Sequence, residues 1–364
     1  MGFNCGIVGL PNVGKSTLYN ALTMTAAADA ANYPFCTIEP NVGRVAVPDE
    51  RLNKLAETAC SKMILPSQLE FVDIAGIVRG ASSGEGLGNR FLSHIRETDA
   101  ILHVVRCFDD ENIVHVSGAV DPVSDVETIE TELLLADLES IEKRMLGLEK
   151  KAKSGDKAAK EIFDVVELVH KVLMNGKPAN EASVLPAQHS ILQQLQLITT
   201  KPVLYICNVP EADVLTGNDY TKRVKSKIGD APVVNISAAI EAEIAALSLE
   251  AEKMEFLRSI GLSSTGLTRV IRSGYDLLDL ITYFTVGPKE ARAWTIKRGT
   301  KAPAAAGVIH TDFAHGFICA ETIFWQDYLE LGGEQGAKQK GKLRLEGKDY
   351  VVQDGDVMHF RFNV

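Results

Sequence analysis

The stretch "FNCGIVGLPNVGKSTLYNAL", residues 3–22, decides the fold. An apolar run at 3–9 reads as a buried strand, and a helical pattern follows Ser16. Between them, Gly9-Leu10-Pro11-Asn12-Val13-Gly14-Lys15-Ser16 fits Gly-x4-Gly-Lys-Ser/Thr in the strand–loop–helix context that motif requires. The glycines let backbone N–H groups turn inward around β-phosphate oxygens, and the helix that follows directs its positive end at them. Lys15 is placed to bridge β- and γ-phosphates, and Ser16 to offer its hydroxyl to Mg²⁺. A mere glycine-rich turn has no use for Lys15 and Ser16 together.

Working outward, "LEFVDIA" (69–75), "AILHVVRCF" (100–108), "KPVLYICNV" (201–209) and "APVVNISA" (231–238) also read as buried strands. Near-continuous apolar strands separated by helical patterns imply an α/β fold, a parallel sheet covered on both faces. Asp73, at the end of the strand "LEFVD", is the expected second metal ligand, acting through a water, and the N–H of Gly76 is expected to sense the γ-phosphate. In "YPFCTIEPN" (33–41), Thr37 reads either as the residue that closes on Mg²⁺ and γ-phosphate or as an exposed strand residue. Gly80, Gly84, Gly86 and Gly88 follow in a segment with little to fix it, which suits a switch that orders around triphosphate.

The strand rhythm breaks between Phe108 and Lys201. Leu134, Leu138, Ile141, Met145 and Leu148 form one helical stripe, and Ile162, Val165, Val169 and Val172 a second. With the polar turn "AKSGDK" (152–157) between them, they predict an antiparallel helical hairpin, either projecting as an insertion or packed on the sheet. Beyond Leu278 come short alternating strands, one helix at 302–310, and a glycine- and lysine-rich stretch, 332–342, expected to be a mobile surface loop. The expected division is a nucleotide-binding domain from 1–124 and 201–277, the hairpin insertion at 125–200, and a small α+β module at 278–364.

With 364 residues, 46% hydrophobic and 24% charged, the chain has an ordinary globular composition. A net charge of −10 argues against indiscriminate coating of nucleic acid and leaves room for a local basic patch. Six cysteines without a C-x-x-C suggest neither zinc nor a disulfide framework. No signal peptide and no apolar run of ~18 residues is evident, so a cytoplasmic location away from membranes is expected.

"GLPNVGKST", "YPFCTIEPN", "FVDIAGIVRGASSGEGLGN" and "NVPE" together resemble the YchF/Obg-like ATPase family of translation-factor-class P-loop proteins. The likeness extends through "RAWTIKRGTKAPAAAGVIHTDF" and "GKDYVVQDGDVMHFRFNV", which resemble that family's ubiquitin-like TGS domain. The nucleotide set expected from motif and resemblance is Asn12, Val13, Gly14, Lys15, Ser16, Thr17, Phe35, Gly76, Asn208, Val209, Glu211, Ser237 and Ala238. Ser16, Thr37 and Asp73 are the metal set.

"NVPE" (208–211) stands where GTP-binding proteins carry Asn-Lys-x-Asp. Guanine offers two donors that the Asp accepts; adenine offers a bare N1 acceptor, so a forked carboxylate there would face a lone pair. Glu211 is longer and follows Pro210, which makes the forked grip poor, and Val209 replaces the lysine stem with a small apolar surface. Asn208 can serve the adenine N6 amine or N7. ATP is therefore the expected ligand, with GTP weaker; the competing reading is that Glu211 still reaches guanine, or is simply exposed.

Ile77 occupies the position from which a Gln orients water in signalling GTPases, so another group must act, such as a backbone carbonyl, a monovalent cation (K⁺) or a side chain. The resemblance points to His115, since an imidazole titrating near pH ~6.5 suits the task, with a packing histidine as the alternative. Lys15, Thr37 and His115 are thus the expected catalytic set.

The resemblance implies ribosome binding, through the large subunit and rRNA, and a role in translation or stress response; no DNA partner is expected. Lys297, Arg298, Lys301, Lys338, Lys340, Lys342 and Arg344 offer a basic strip for RNA, or solvated charges. A GTP-dependent ribosome-assembly factor is the alternative function. A small-molecule kinase would need an acceptor pocket and lid.

Overall fold

The strand that precedes the phosphate loop sits at the centre of a six-stranded sheet in a computed structural model describing residues 3–32, 42–73, 87–113, 115, 118–247 and 249–363. Its strands are β1 (Asn4–Val8), β2 (Val42–Ala46), β4 (Gln68–Asp73), β5 (Ala100–Arg106), β6 (Val203–Asn208) and β7 (Val233–Ile236), in the order β2-β4-β1-β5-β6-β7. Five run parallel, and every residue of β5 is buried, as expected of a strand covered on both faces. The departure is β2, an edge strand antiparallel to β4 that the sequence reading did not include. Its burial alternates, which is the pattern of a half-exposed edge and not of an apolar run.

Covering this sheet are α1 (Lys15–Asn32), α3 (Leu87–Glu97), α7 (Asp219–Ile228), α8 (Ala238–Ala246), α9 (Glu250–Ser259) and α10 (Gly266–Leu277). Glu241 of α8 accepts from the N–H groups of Gly266 (2.7 Å) and Leu267 (3.1 Å), so a buried carboxylate satisfies the orphan donors at the start of α10.

The long helix α4 (Pro122–Lys153) does two jobs. Its first half buries Val126, Ile129, Leu133 and Ala136 against the sheet. Its second half pairs with α5 (Lys157–Met174), where Ile141, Val165, Val166, Val169 and Leu173 form a separate core, flanked by Leu134, Leu138, Met145, Leu148 and Ile162. At 32 residues α4 spans about 48 Å, long enough for both. The chain returns through α6 (His189–Gln194), and Asp137 closes the loop by accepting from the N–H groups of Ile198 (2.9 Å) and Thr199 (2.7 Å) and the Thr199 hydroxyl. Arg96 donates to the Ala136 carbonyl at 3.0 Å, which ties α3 to the hairpin root.

A second sheet, ordered β11-β10-β12-β8-β9-β3, uses β8 (Leu280–Val286), β9 (Glu290–Lys297), β10 (Phe317–Phe324), β11 (Arg344–Glu346) and β12 (Asp356–Phe362). Its sixth strand, β3 (Met63–Leu65), comes from the first third of the chain and pairs in parallel with β9. The preceding helix, α2 (Glu50–Ala59), buries Leu52, Leu55 and Ala56 against Phe284, Ala291 and Ala293. Residues 50–65 thus leave one sheet for the other between two neighbouring strands. Short helices α11 (Ala302–Ile309), α12 (Thr311–His315), α13 (Trp325–Glu330) and α14 (Glu334–Gln339) complete this part. The last corrects the mobile loop expected at 332–342: Ala337 is fully buried, and Gly333 N donates to the Tyr328 carbonyl, so the glycines end one helix and start another.

Candidate nucleotide site

Strands β1, β4, β5, β6 and β7 all point the same way, so the loops that leave them gather at one edge of the sheet, where ligands of open α/β sheets bind. The phosphate loop leaves β1. Two glycines there are required by space. A Cβ on Gly9 would come within 2.7 Å of the Val104 carbonyl of β5, and Gly14 has φ +92°, with its missing Cβ directed onto the Asn208 amide. Asn12 takes the left-handed conformation too, at φ 63°. Lys15, only 8% exposed, reaches across to the end of β4, where its Nζ lies 2.9 Å from Asp73 Oδ1. Ser16 and Thr17, at the start of α1, are exposed. The motif lysine and the candidate metal carboxylate are therefore brought together, although 58 residues separate them.

The base end is built differently. Asn208 Nδ2 donates to the Val13 carbonyl at 2.9 Å, and Asn208 Oδ1 accepts from Ala238 N at 3.0 Å. One buried side chain thus ties the phosphate loop to the turn after β7. Ser237 caps α8 by accepting from Ile240 N, and is buried like Ala238. The apolar surface expected of Val209 is turned inward: the residue is 2% exposed and packs with Val105, Cys107, Val214 and Val224. Alternation along the strand explains this, since Asn208 and Val209 must face opposite ways. Glu211 is exposed at the start of a single 3₁₀ turn, 211–213.

His115 is buried on the loop after β5, with Nε2 3.0 Å from Asp125 Oδ2 in the first turn of α4. Burial raises the Asp125 carboxyl above its ordinary range, and the His115 hydrogen bond offsets only part of that rise. Sequence reasoning missed this partner. It also missed Arg106, whose signal was a charge inside the apolar run "AILHVVRCF". Phe35, Thr37 and Gly76, with the switch segment around them, lie outside the described residues.

Of the other histidines, His103 is a core residue beside Tyr205, its pKa lowered to about 3 by burial. His310 caps α12 through Nδ1. Cys5, Cys107 and Cys207 are buried thiols. The basic strip expected in the last module is largely spoken for. Arg298 pairs with Asp279, Lys301 with Asp349, Lys342 with Asp327, and Arg344 with Glu346 and Asp356. No helix among the described residues is long and apolar enough to cross a membrane.

A glycine-lined loop between β1 and α1, a lysine facing a strand-end aspartate, and an Asn that braces the loop define a P-loop nucleoside-triphosphatase fold. A family model described as a 50S ribosome-binding GTPase matches residues 4–136, and the YchF-GTPase_C family, a protein family of unknown function, matches 280–363. Ribosome-binding ATPase YchF of Haemophilus influenzae is 58% identical, with both chains covered completely, and that of Bacillus subtilis is 54% identical over the same extent. The solved YchF GTPase of Schizosaccharomyces pombe superposes with a TM-score of 0.89 at 40% identity, covering 99% of this chain and 98% of its own. The chain belongs to the YchF family.

Proposed function

We propose that the protein is an ATP-hydrolysing switch that binds the ribosome and regulates translation or a stress response. The observation that carries the base assignment is the Asn208 brace, followed by Val-Pro-Glu in place of Lys-x-Asp: the forked acid that grips guanine is missing. The relatives named as ribosome-binding ATPases support both halves of the reading.

Lys15 neutralises β- and γ-phosphate oxygens, and the phosphate-loop amides hold the chain of phosphates in place. The hard-oxygen donors Ser16 and Asp73 suit Mg²⁺, with Thr37 completing the set; when bound, the ion neutralises charge that develops on the phosphates. Val13, Gly14, Asn12, Thr17 and Phe35 line the phosphates and sugar, Gly76 senses the γ-phosphate, and Asn208, Glu211, Ser237 and Ala238 border the base. His115, oriented by Asp125, places the attacking water, with K⁺ as a further source of charge at the phosphates. Without a Gln after Gly76, turnover is slow until a partner adds to the set.

The domain reading is a nucleotide domain from 1–124 and 201–277, a hairpin arm at 125–200 and a TGS module at 278–364, with the large subunit and rRNA as contacts and the cytoplasm as the location. Lys150, Lys151, Lys157 and Lys160, exposed at the far end of the hairpin, supplement Lys338 and Lys340 as cations for RNA. The description of the matched N-terminal family as GTPases, and an exposed Glu211, favour the second reading, a GTP-dependent assembly factor.

Titration with non-hydrolysable ATP and GTP analogues separates the two: tighter ATP binding is expected, and equal affinity removes the base assignment. Ribosome sedimentation with ATP, ADP, GTP or no nucleotide tests the switch. A sedimenting fraction indifferent to nucleotide counts against it.

A further inference from the structure

We infer that Arg106 is a positioning residue for hydrolysis: from the end of β5 its guanidinium holds the loop that presents His115, and the N–H of the next residue, Cys107, ties that loop to the strand carrying Asn208. This rests on the reading of His115 as the residue that places water.

Arg106 is 1% exposed and is the largest fully buried side chain among the described residues. A buried guanidinium is tolerated only when its donors are occupied. Here they are occupied by the loop itself. Nε donates to the Phe108 carbonyl at 3.1 Å, Nη1 to the Ile113 carbonyl at 2.9 Å and Nη2 to the Asp110 carbonyl at 3.3 Å. The guanidinium also lies 4.7 Å from the centre of the Phe108 ring, in cation–π range. Three carbonyls within six residues converge on one planar fork, which fixes the path of 108–113 two residues before His115. A core arginine with only a packing role would not need its hydrogen bonds gathered on a single catalytic-edge loop.

The same residue meets the base end. Arg106 pairs in register with Asn208, and the next N–H, that of Cys107, donates to the Asn208 carbonyl at 2.8 Å. The Cys107 carbonyl accepts from Asn218 Nδ2 at 2.9 Å, and the same amide donates to Asp213 in the 3₁₀ turn that begins with Glu211. Tyr220 adds a hydrogen bond to Asp109 of the loop, 2.8 Å long. The segment that carries His115 is therefore fastened on one side by Arg106 and on the other to the segment that borders the base. Occupancy of the base site and the position of His115 share one rigid junction.

The test is a double-mutant cycle on the full-length protein. Arg106→Lys keeps the charge but cannot span three carbonyls. Expected is a fall in kcat of at least ~10-fold with the Kd for an ATP analogue within ~3-fold of wild type, and no further loss of kcat when Arg106→Lys is added to His115→Ala. Losses that multiply in the double variant, or an unchanged kcat in Arg106→Lys, overturn the inference while leaving His115 standing. A wild-type kcat in His115→Ala sinks the underlying reading instead, and the inference with it. Should Arg106→Lys fail to fold, Phe108→Ala reads the same coupling from the half-buried ring of the clamp: a smaller loss, absent in the His115→Ala background, is expected, and an additive one refutes it.

Discussion

The phosphate end and the base end of the nucleotide site use their side chains in opposite ways. At the phosphate end, Lys15 reaches to Asp73 on the neighbouring strand, and the two motif side chains meet each other at the sheet edge. At the base end, the residues in the motif position serve the protein. Asn208 spends one donor and an acceptor on Val13 and Ala238, Ser237 caps a helix, and Val209 is core. Under the proposed function, phosphate is met by motif side chains together with the loop amides, and the base by a scaffold that the motif side chains hold in shape. Identity survives in a motif, whereas shape has to be built.

The largest effect that divides the two ends is expected from Asn208→Ala. It leaves the Val13 carbonyl and Ala238 N–H without their buried partner, at roughly 2–4 kcal/mol for the pair. Because the lost bonds join the phosphate loop to the turn after β7, the affinities for ATP and GTP analogues should fall together, by ~30-fold or more. Calorimetric titration of both analogues measures this. A loss confined to ATP would make Asn208 a reader of adenine and erase the contrast drawn above.

The same contrast explains what could be read from the amino-acid sequence. The phosphate loop, Asp73 and the five parallel strands were legible because apolar runs and a spaced motif are local signals. Both hairpin stripes were legible for the same reason, since α4 and α5 bury Ile141, Val165 and Val169 and half-bury the other residues their periodicity selects. What escaped depends on distant partners. β2 alternates too briefly to stand out, and β3, three residues long, exists only because β9 pairs with it. The ion pairs that absorb Arg298, Lys301, Lys342 and Arg344 depend on acids brought close by the turns of the second sheet, up to 48 residues away in the chain. Asp125 and Arg106 were missed because their contacts are fixed by the course of one loop.

A smaller effect concerns β5, the strand that joins the two ends. His103 pairs with Val8 of β1 on one side and with Tyr205 of β6 on the other. Burial holds its imidazole neutral, lowering the pKa from 6.5 to about 3. The unfolded chain therefore binds the proton more tightly, and stability is lost as pH falls from 6.5 toward 3. Between pH 7 and pH 5 this amounts to about 2 kcal/mol. Chemical denaturation at the two pH values should show that loss in the wild type, and a shallower dependence in His103→Leu. Equal slopes would remove His103 as the source of acid sensitivity at the junction.

The smallest effect is the sharpest on the choice of base. Glu211 is the exposed acid beside Asn208, in the position from which Asn-Lys-x-Asp grips guanine. If the scaffold and not the acid selects the base, Glu211→Ala should change the affinity for ATP and for GTP analogues by no more than ~3-fold each, under about 0.7 kcal/mol. Their ratio should stay where it was. An exposed carboxylate held by a single 3₁₀ turn has little fixed geometry to lose, and adenine has no paired donors for it to accept. A selective tenfold loss of GTP affinity would mean that the carboxylate swings onto the guanine edge. The base end would then resemble the phosphate end after all, with recognition carried by a side chain.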